Sequence, residues 1–347
     1  MKNILITSFA IIIFAGCIKT NISFPQTEPA NETSLSKSAA SIGIKGDTND
    51  IVTNTSAAFV LMGGGADVTA AIKWMLERSG GGDVVVIRAT GTDAYDAYMY
   101  RLFPVNSVET LLINSRALAN DATVAKTIRK AECLFIAGGN QSDYVNFWKG
   151  TLVNDAINYL INSKKVPVGG TSAGCMILGQ ICFDAENGSV TSDEVLQNPY
   201  NKYVSFTSHF ISIPFLQNII TDTHYNNPDR RGRQFGFMAR LFQDSSLPVK
   251  GIGLQEQTAV AIDENGNAKV FGFGKAFFMQ ANTALGLPEL CKKGLPLTWN
   301  KNAQAVNAYI IDGSRTGNGN VNIPNWNNFS GGKTKTFSAV SGTLAVQ

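Results

Sequence analysis

Ser172 stands in Gly170-Thr171-Ser172-Ala173-Gly174, preceded by Val166-Pro167-Val168 and followed by Met176-Ile177-Leu178. G-x-S-x-G between a buried strand and a helix is the setting of a nucleophile elbow. Small neighbours permit a tight turn that lifts the hydroxyl from the sheet edge, and the Ala173 N–H at the helix start can stabilise an oxyanion. The pattern also occurs as a plain strand-to-helix turn with serine as cap, so its placement after a parallel strand carries the weight. A serine nucleophile needs a base, and the chain contains only two histidines. His224 is favoured because it ends the apolar run Ile219-Ile220-Thr221-Asp222-Thr223, where a strand delivers a side chain to an open sheet edge. His209, in Phe206-Thr207-Ser208, reads as a hydrogen-bonded core histidine. Among the acids, Glu256 is embedded in the apolar stretch Gly251 to Val260, and a buried glutamate requires a partner such as an imidazole. Asp222 lies two residues before His224 on the same strand face, a position suited to touching substrate.

Those residues need a scaffold, and from Ala57 the chain repeats a short apolar run, a glycine turn and a helical stretch. The runs Ala58 to Met62, Asp83 to Ala89, Val108 to Ile113, Cys133 to Ala137 and Val166 to Gly169 lack polar alternation, as strands covered on both faces require. Val68, Ala71, Ile72 and Met75 are spaced for one helix face, and so are Val153, Ile157, Leu160 and Ile161. The pattern predicts an α/β fold: a three-layer sandwich with a mainly parallel central sheet. Beyond the fifth strand, Val204 to Ile213 reads as extended, Gly251 to Ile262 as a strand with a bend, and Ala268 to Met279 as a hairpin.

The chain of 347 residues, 44% hydrophobic and 16% charged, can bury one large core, and its net charge of +3 includes no Lys/Arg block suited to a phosphate backbone. Nucleic acid is not an expected partner. Lys2 followed by the apolar run Ile4 to Ala15 reads as a signal peptide, and Ala15-Gly16-Cys17 as a lipobox whose cysteine is lipidated. The expected organisation is therefore a lipoprotein signal peptide over residues 1–17, a flexible tether over 18–56, a catalytic α/β domain over 57–285 and a small β-rich or irregular extension over 286–347. The expected location is the bacterial cell envelope, with the chain exported and lipid-anchored to a membrane. Cys133, Cys175, Cys182 and Cys291 form no CxxC pair and read as small buried hydrophobes. Neither a metal nor an organic cofactor is expected. The Gly63-Gly64-Gly65 turn fails as a dinucleotide fingerprint because Val68 replaces its third glycine.

From Ala57 to Met279 the chain resembles the cyanophycinase and dipeptidase E group of serine peptidases, which have a class I glutamine amidotransferase-like fold. Four segments carry the resemblance in order: Gly63-Gly64-Gly65 with Asp67, Ala137-Gly138-Gly139-Asn140-Gln141, Gly170 to Gly174, and Asp222-Thr223-His224 followed by Arg231-Gly232-Arg233. Gly251 to Val260 resembles the later strand that bears the carboxylate. The resemblance implies a triad of Ser172, His224 and Glu256, an oxyanion hole from the backbone of Gly139 and Ala173, and substrate contacts from Gln141, Asp222, Arg231 and Arg233. It also implies hydrolysis of a peptide or isopeptide bond, with a peptide or polypeptide as partner and a homodimer left open. The chain departs from cyanophycinases at Asn140 (usually Asp), at Thr223 (usually Gln), at Gly236 (usually a further Arg) and in a short insertion containing Pro228. These positions concern substrate recognition, so they weaken the Asp-Arg polymer as substrate more than they weaken hydrolysis.

Two other readings remain at this point. An α/β-hydrolase-type esterase would place its acid before the histidine, leaving Asp184, Glu186, Asp193, Glu194 or Asp222. A non-catalytic surface lipoprotein would keep the fold only to bind peptides or glycans.

Overall fold

The five apolar runs are strands, and their alternate residues face two separate cores. Phe59, Leu61, Val85, Ile87, Leu134 and Ile136 enter one cluster, whereas Val60, Met62, Val84, Val86, Cys133 and Phe135 enter the other. Each face is roofed by helices, so both sets of side chains leave water, which explains the missing polar alternation. The computed structural model describes residues 38–347, which form one compact unit.

In chain order the strands are β1 (Ser41–Gly46), β2 (Ala58–Met62), β3 (Asp83–Arg88), β4 (Ser107–Leu112), β5 (Cys133–Ile136), β6 (Pro167–Thr171), β7 (Ile181–Phe183), β8 (Phe206–Ser208), β9 (Ile219–Asp222), β10 (Lys250–Leu254), β11 (Thr258–Ile262), β12 (Asn267–Gly272), β13 (Lys275–Ala281), β14 (Val306–Asp312), β15 (Asn318–Asn322), β16 (Asn327–Ser330), β17 (Gly332–Val340) and β18 (Thr343–Val346). The helices are α1 (Thr69–Glu77), α2 (Ala94–Leu102), α3 (Arg116–Ala119), α4 (Ala122–Lys130), α5 (Gln141–Trp148), α6 (Leu152–Tyr159), α7 (Ala173–Met176), α8 (Ser192–Gln197) and α9 (Arg231–Ser245).

Strands β4-β3-β5-β6-β2 run parallel. Residues of α1 and α2 pack on one face, and residues of α4, α5 and α6 on the other, giving the three layers. Helix starts follow from local chemistry: the Asp121 carboxylate accepts the Thr123 N–H at 2.7 Å, and Thr191 with Glu194 closes a capping box. The sheet extends antiparallel at both edges, reaching ten strands in the order β1-β4-β3-β5-β6-β2-β11-β12-β15-β16. A second, mixed sheet of eight strands runs β18-β17-β14-β13-β10-β9-β7-β8.

Three expectations change here. Residues 18–56 are not tether throughout: within them β1 pairs antiparallel with β4, Ala40 is buried, and Gly43 packs on Asp93 and Asp96 of the α2 region. Residues 286–347 are β-rich, as expected, but not a separate extension, because β14, β17 and β18 lengthen the second sheet and β15 and β16 lengthen the first. Nor do β12 and β13 form a hairpin. β12 pairs with β11 and β13 with β10, so the chain crosses between sheets at Phe273 just as it crosses at Gln255 to Gln257. The stretch from Val204 to Ile213 contributes only the three-residue β8. Residues 1–17, with the expected signal peptide and the lipidated Cys17, lie outside the described residues.

One buried acid carries a testable cost. Asp96 accepts a hydrogen bond from Thr110, but its second oxygen is buried without a partner, and burial raises its pKa to about 6. The unfolded carboxyl releases its proton near pH 4, so between pH ~4 and ~6 the folded state holds a proton that the unfolded state has lost. Stability therefore falls as pH rises through that window and is flat above it. Urea midpoints of Asp96→Asn should match the parent at pH 4 and exceed it at pH 8; an equal difference at both pH values would contradict this assignment.

Candidate active site

Three neighbouring parallel strands end at one edge of the first sheet, and their loops converge there. β5 leads into Gly138-Gly139, β6 into Ser172, and β2 into Gly63-Gly64-Gly65. Ligand sites in open α/β sheets form outside such carboxyl ends. The second sheet supplies the rest: β9 ends at Asp222 two residues before His224, and the crossing from β10 to β11 carries Glu256.

Ser172 has φ 52° and ψ −120°, a conformation that non-glycine residues adopt only under constraint. The constraint is the packing of the turn. A Cβ on Gly174 would lie 2.2 Å from the Ile136 carbonyl oxygen of β5, so only glycine lets α7 start that close to the sheet. The Ser172 hydroxyl lies 2.8 Å from His224 Nε2, and His224 Nδ1 lies 2.7 Å from Glu256 Oε1. His224, itself at φ 50°, is held by its N–H to the Gly63 carbonyl at 2.7 Å.

The protonation pattern follows from the partners. The His224 hydrogen bond holds the Glu256 carboxyl below its ordinary pKa, against a smaller opposing effect of burial. An ionised carboxylate only accepts, so Nδ1 carries the proton and the Nε2 lone pair faces the serine hydroxyl. Both side chains are about one-quarter exposed, leaving the row open to solvent. Gly64 covers the imidazole so closely that its missing Cβ would sit 2.4 Å from Nε2. Gly138 flanks the nucleophile, its Cβ position being 3.5 Å from the Ser172 Cβ. The Ala173 N–H belongs to the first turn of α7, where backbone donors have no intrahelical acceptor.

Several predicted contacts are placed otherwise. Asp222 is fully buried and binds Arg233 through both carboxylate oxygens, with Nε to Oδ2 at 3.0 Å. Arg233 is 2% exposed and also packs over Phe183 and Phe237. These two residues neutralise one another in the core and do not reach the open row. Arg231 is at the surface, paired with Asp229 through Nε at 2.9 Å and through Nη2. Gln141 is half-buried, its amide nitrogen 3.3 Å from the Phe183 carbonyl. His209 is exposed, beside the Ser208 hydroxyl at 3.1 Å, and is not a core residue. Glu256 lies in the bend between two strands of different sheets, not inside a strand as read from its apolar flanks.

Arg230, next to the two expected arginines, is the one near the open row. It is half-buried, and Nη1 donates to the Thr223 carbonyl at 3.0 Å. Burial, and then the nearby Arg233, push the guanidinium below its ordinary value, while Asp222 and Glu256 oppose the shift. A cation in that position gains from any anion brought to it. The signal in the sequence was Asp229: an acid at a helix start accepts the N–H two residues on, here Arg231 at 3.0 Å, and so draws Arg231 away from the site.

The positions that depart from the cyanophycinase pattern have defined local settings. Asn140 caps α5 by accepting the Ser142 N–H at 3.3 Å, and the Thr223 N–H donates to Asp222 at 2.8 Å. A Cβ on Gly236 would fall 2.3 Å from Val195, so an arginine does not fit there. Of the acids that an esterase order would use, Asp184 is engaged with Ser205 and Thr207, Glu194 with Thr191 and Asp222 with Arg233, while the carboxylate on His224 is that of Glu256. Among the described residues no group of three or more His, Cys, Asp or Glu side chains could hold a metal ion.

The sequence profile of peptidase family S51 matches residues 59–270, more than half of the chain. The chain belongs to peptidase family S51. Within curated proteins it is similar to a cyanophycinase of Synechococcus elongatus, 26% identical over 207 residues that cover 57% of this chain and 59% of that protein. A cyanophycinase of Trichormus variabilis is 26% identical over 168 residues, 48% of this chain and 51% of that one. The matched stretch thus spans less than two thirds of either relative. A peptidase of an acI-B1 Actinobacterium superposes with TM-score 0.49 at 15% identity, covering 65% of this chain and 91% of the other. The S51 match includes Ser172, His224 and Glu256 and stops before Phe273.

Proposed function

We propose that this S51 chain is a serine peptidase in which Ser172 attacks the substrate carbonyl. His224 takes the hydroxyl proton on Nε2 and returns it to the leaving amine. Glu256 fixes the tautomer and compensates the imidazolium, and the backbone N–H groups of Gly139 and Ala173 receive the oxyanion. The observation that carries the reading is the unbroken row from Ser172 Oγ to His224 at 2.8 Å and on to Glu256 at 2.7 Å. A protein that only binds peptides has no need of a serine strained at φ 52° against an aligned imidazole.

For substrate we propose a peptide or isopeptide bond beside an aspartyl residue, an Asp-containing peptide or an Asp-Arg polymer. Two relatives are named cyanophycinase, and Arg230 is the half-buried cation beside the His224–Glu256 pair. Arg230 replaces Arg231 and Arg233 as the expected carboxylate contact, since each of those already holds an aspartate. Hydrolysis of α- and β-aspartyl dipeptides, their asparaginyl counterparts and cyanophycin tests this. Arg230→Gln should lower kcat/KM for the aspartyl substrates by roughly tenfold to a hundredfold while sparing the asparaginyl ones; equal losses on both sets would remove Arg230 from recognition.

We also propose export and lipid anchoring through Cys17, motivated by the apolar run and small residues before it. Among the described residues no helix is long and apolar enough to cross a membrane. Cys17→Ser should move the chain from the membrane pellet to the soluble fraction; an unchanged distribution would count against lipidation.

A further inference from the structure

A cavity of about 380 Å³ is lined by Gln257, the residue after Glu256, and by residues that follow the Gly63-Gly64-Gly65 turn. That volume is enough for an amino-acid side chain with its backbone. Its walls include Asp67 and Val68 from the turn after β2, Lys73 of α1, Gln257, Phe273 and Arg315. Hydrogen bonds tie it to the row. The Gln257 N–H donates to the carbonyl of Gly64, the residue against the imidazole, at 2.9 Å, and the Phe273 N–H donates to the Gln257 carbonyl at 2.9 Å.

Phe273 is 72% exposed, the most exposed aromatic side chain among the described residues, and it stands at the sheet crossing between β12 and β13. Leaving that ring in water gains the fold nothing, whereas a ring at the rim of an apolar cavity offers a face to a ligand. The Arg315 guanidinium lies 5.6 Å from the ring centroid. Lys73 and Arg315 are exposed cations, while the Asp67 carboxylate is turned to the Tyr95 hydroxyl at 3.1 Å. The cavity therefore offers apolar walls and two cations at its mouth. Phe273 and Arg315 lie beyond residues 59–270, so the cavity combines this chain's own later strands with the family-matched part.

Location determines which part of a substrate would enter. In the proposed reaction His224 returns its proton to the leaving amine, so the leaving segment lies on the imidazole side of the serine. Two hydrogen bonds and one imidazole ring separate Ser172 from Glu256, about the reach of two extended residues. We infer, resting on the serine peptidase reading above, that this cavity is a leaving-side subsite. It takes an apolar or aromatic C-terminal residue whose free α-carboxylate pairs with Lys73 and Arg315.

The test uses the full chain carrying Ser172→Ala, so that nothing is turned over, and two probes, the tripeptide Ala-Ala-Phe, whose Phe is the second residue on the leaving side, and its C-terminal amide. Ala-Ala-Phe should bind saturably and about tenfold more tightly than the amide. Phe273→Ala should weaken Ala-Ala-Phe about tenfold, and Lys73→Gln with Arg315→Gln should make acid and amide equal. All three side chains are exposed, so thermal melts should be unchanged. In protein retaining Ser172, fluorophosphonate labelling reports on the nucleophile separately from the subsite. Equal binding of acid and amide by the parent, or undiminished binding by Phe273→Ala, would overturn the subsite. Absence of a Ser172 adduct would overturn the peptidase reading alone, because the binding pattern is measured without catalysis.

Discussion

Ser172→Ala should abolish hydrolysis, lowering turnover roughly 10⁴-fold or more, while the thermal midpoint stays within a few degrees of the parent. The oxygen removed is 2.8 Å from His224 Nε2, and without it His224 has no proton to take. The fold loses little by the change. The turn is set by Gly170, Gly174 and the start of α7 against β5, and alanine meets the same φ of 52° as serine does. An activity assay on aspartyl dipeptides and a thermal melt of the same sample separate the two quantities. Residual activity within tenfold of the parent would assign the chemistry to another group.

Asp222→Ala should behave in the opposite way, with a stability loss of about 3–5 kcal/mol as its first effect. Arg233 would then be left 2% exposed without its counter-ion, among Phe183, Phe237 and the Val190 carbonyl. Its charge can neither leave for water nor be given up, since guanidinium does not deprotonate in proteins. Replacing both partners by apolar residues, Asp222→Leu with Arg233→Met, should recover most of the loss, because the cost lies in breaking the pair and not in lacking it. Urea denaturation of the parent, the single and the double variant decides this. A single variant as stable as the parent, with only a raised KM, would return Asp222 to the substrate-contact role that the family resemblance implied.

What was legible in the sequence is local in origin. The elbow around Ser172 is five consecutive residues, and His224 could be found because histidine occurs only twice. The five parallel strands showed themselves because burial on both faces removes polar residues from each run. The apolar flanks of Glu256 do not mark a single strand that buries it, since they belong to β10 and β11, which lie in different sheets. The Asp222–Arg233 pair depends on how α9 lies against β9, which no spacing encodes, so both residues looked available to substrate. Arg230 was hidden for the related reason that Asp229 occupies Arg231. β14, β15 and β17 each pair with a strand more than twenty residues away, and β15 and β16 are short and rich in Asn; alone they resemble loose structure. β1 was missed in the same way, because Ser41–Gly46 has a half-exposed edge pattern and its partner β4 is more than sixty residues away.

The central claim is that Ser172 is an activated nucleophile. Fluorophosphonate treatment of the full chain, followed by mapping the modified peptide, tests it without knowledge of the substrate. The reagent should form one adduct, on Ser172, and His224→Ala should slow its formation by orders of magnitude by removing the base at 2.8 Å. An unmodified Ser172, or an adduct that forms equally fast without His224, would contradict the account.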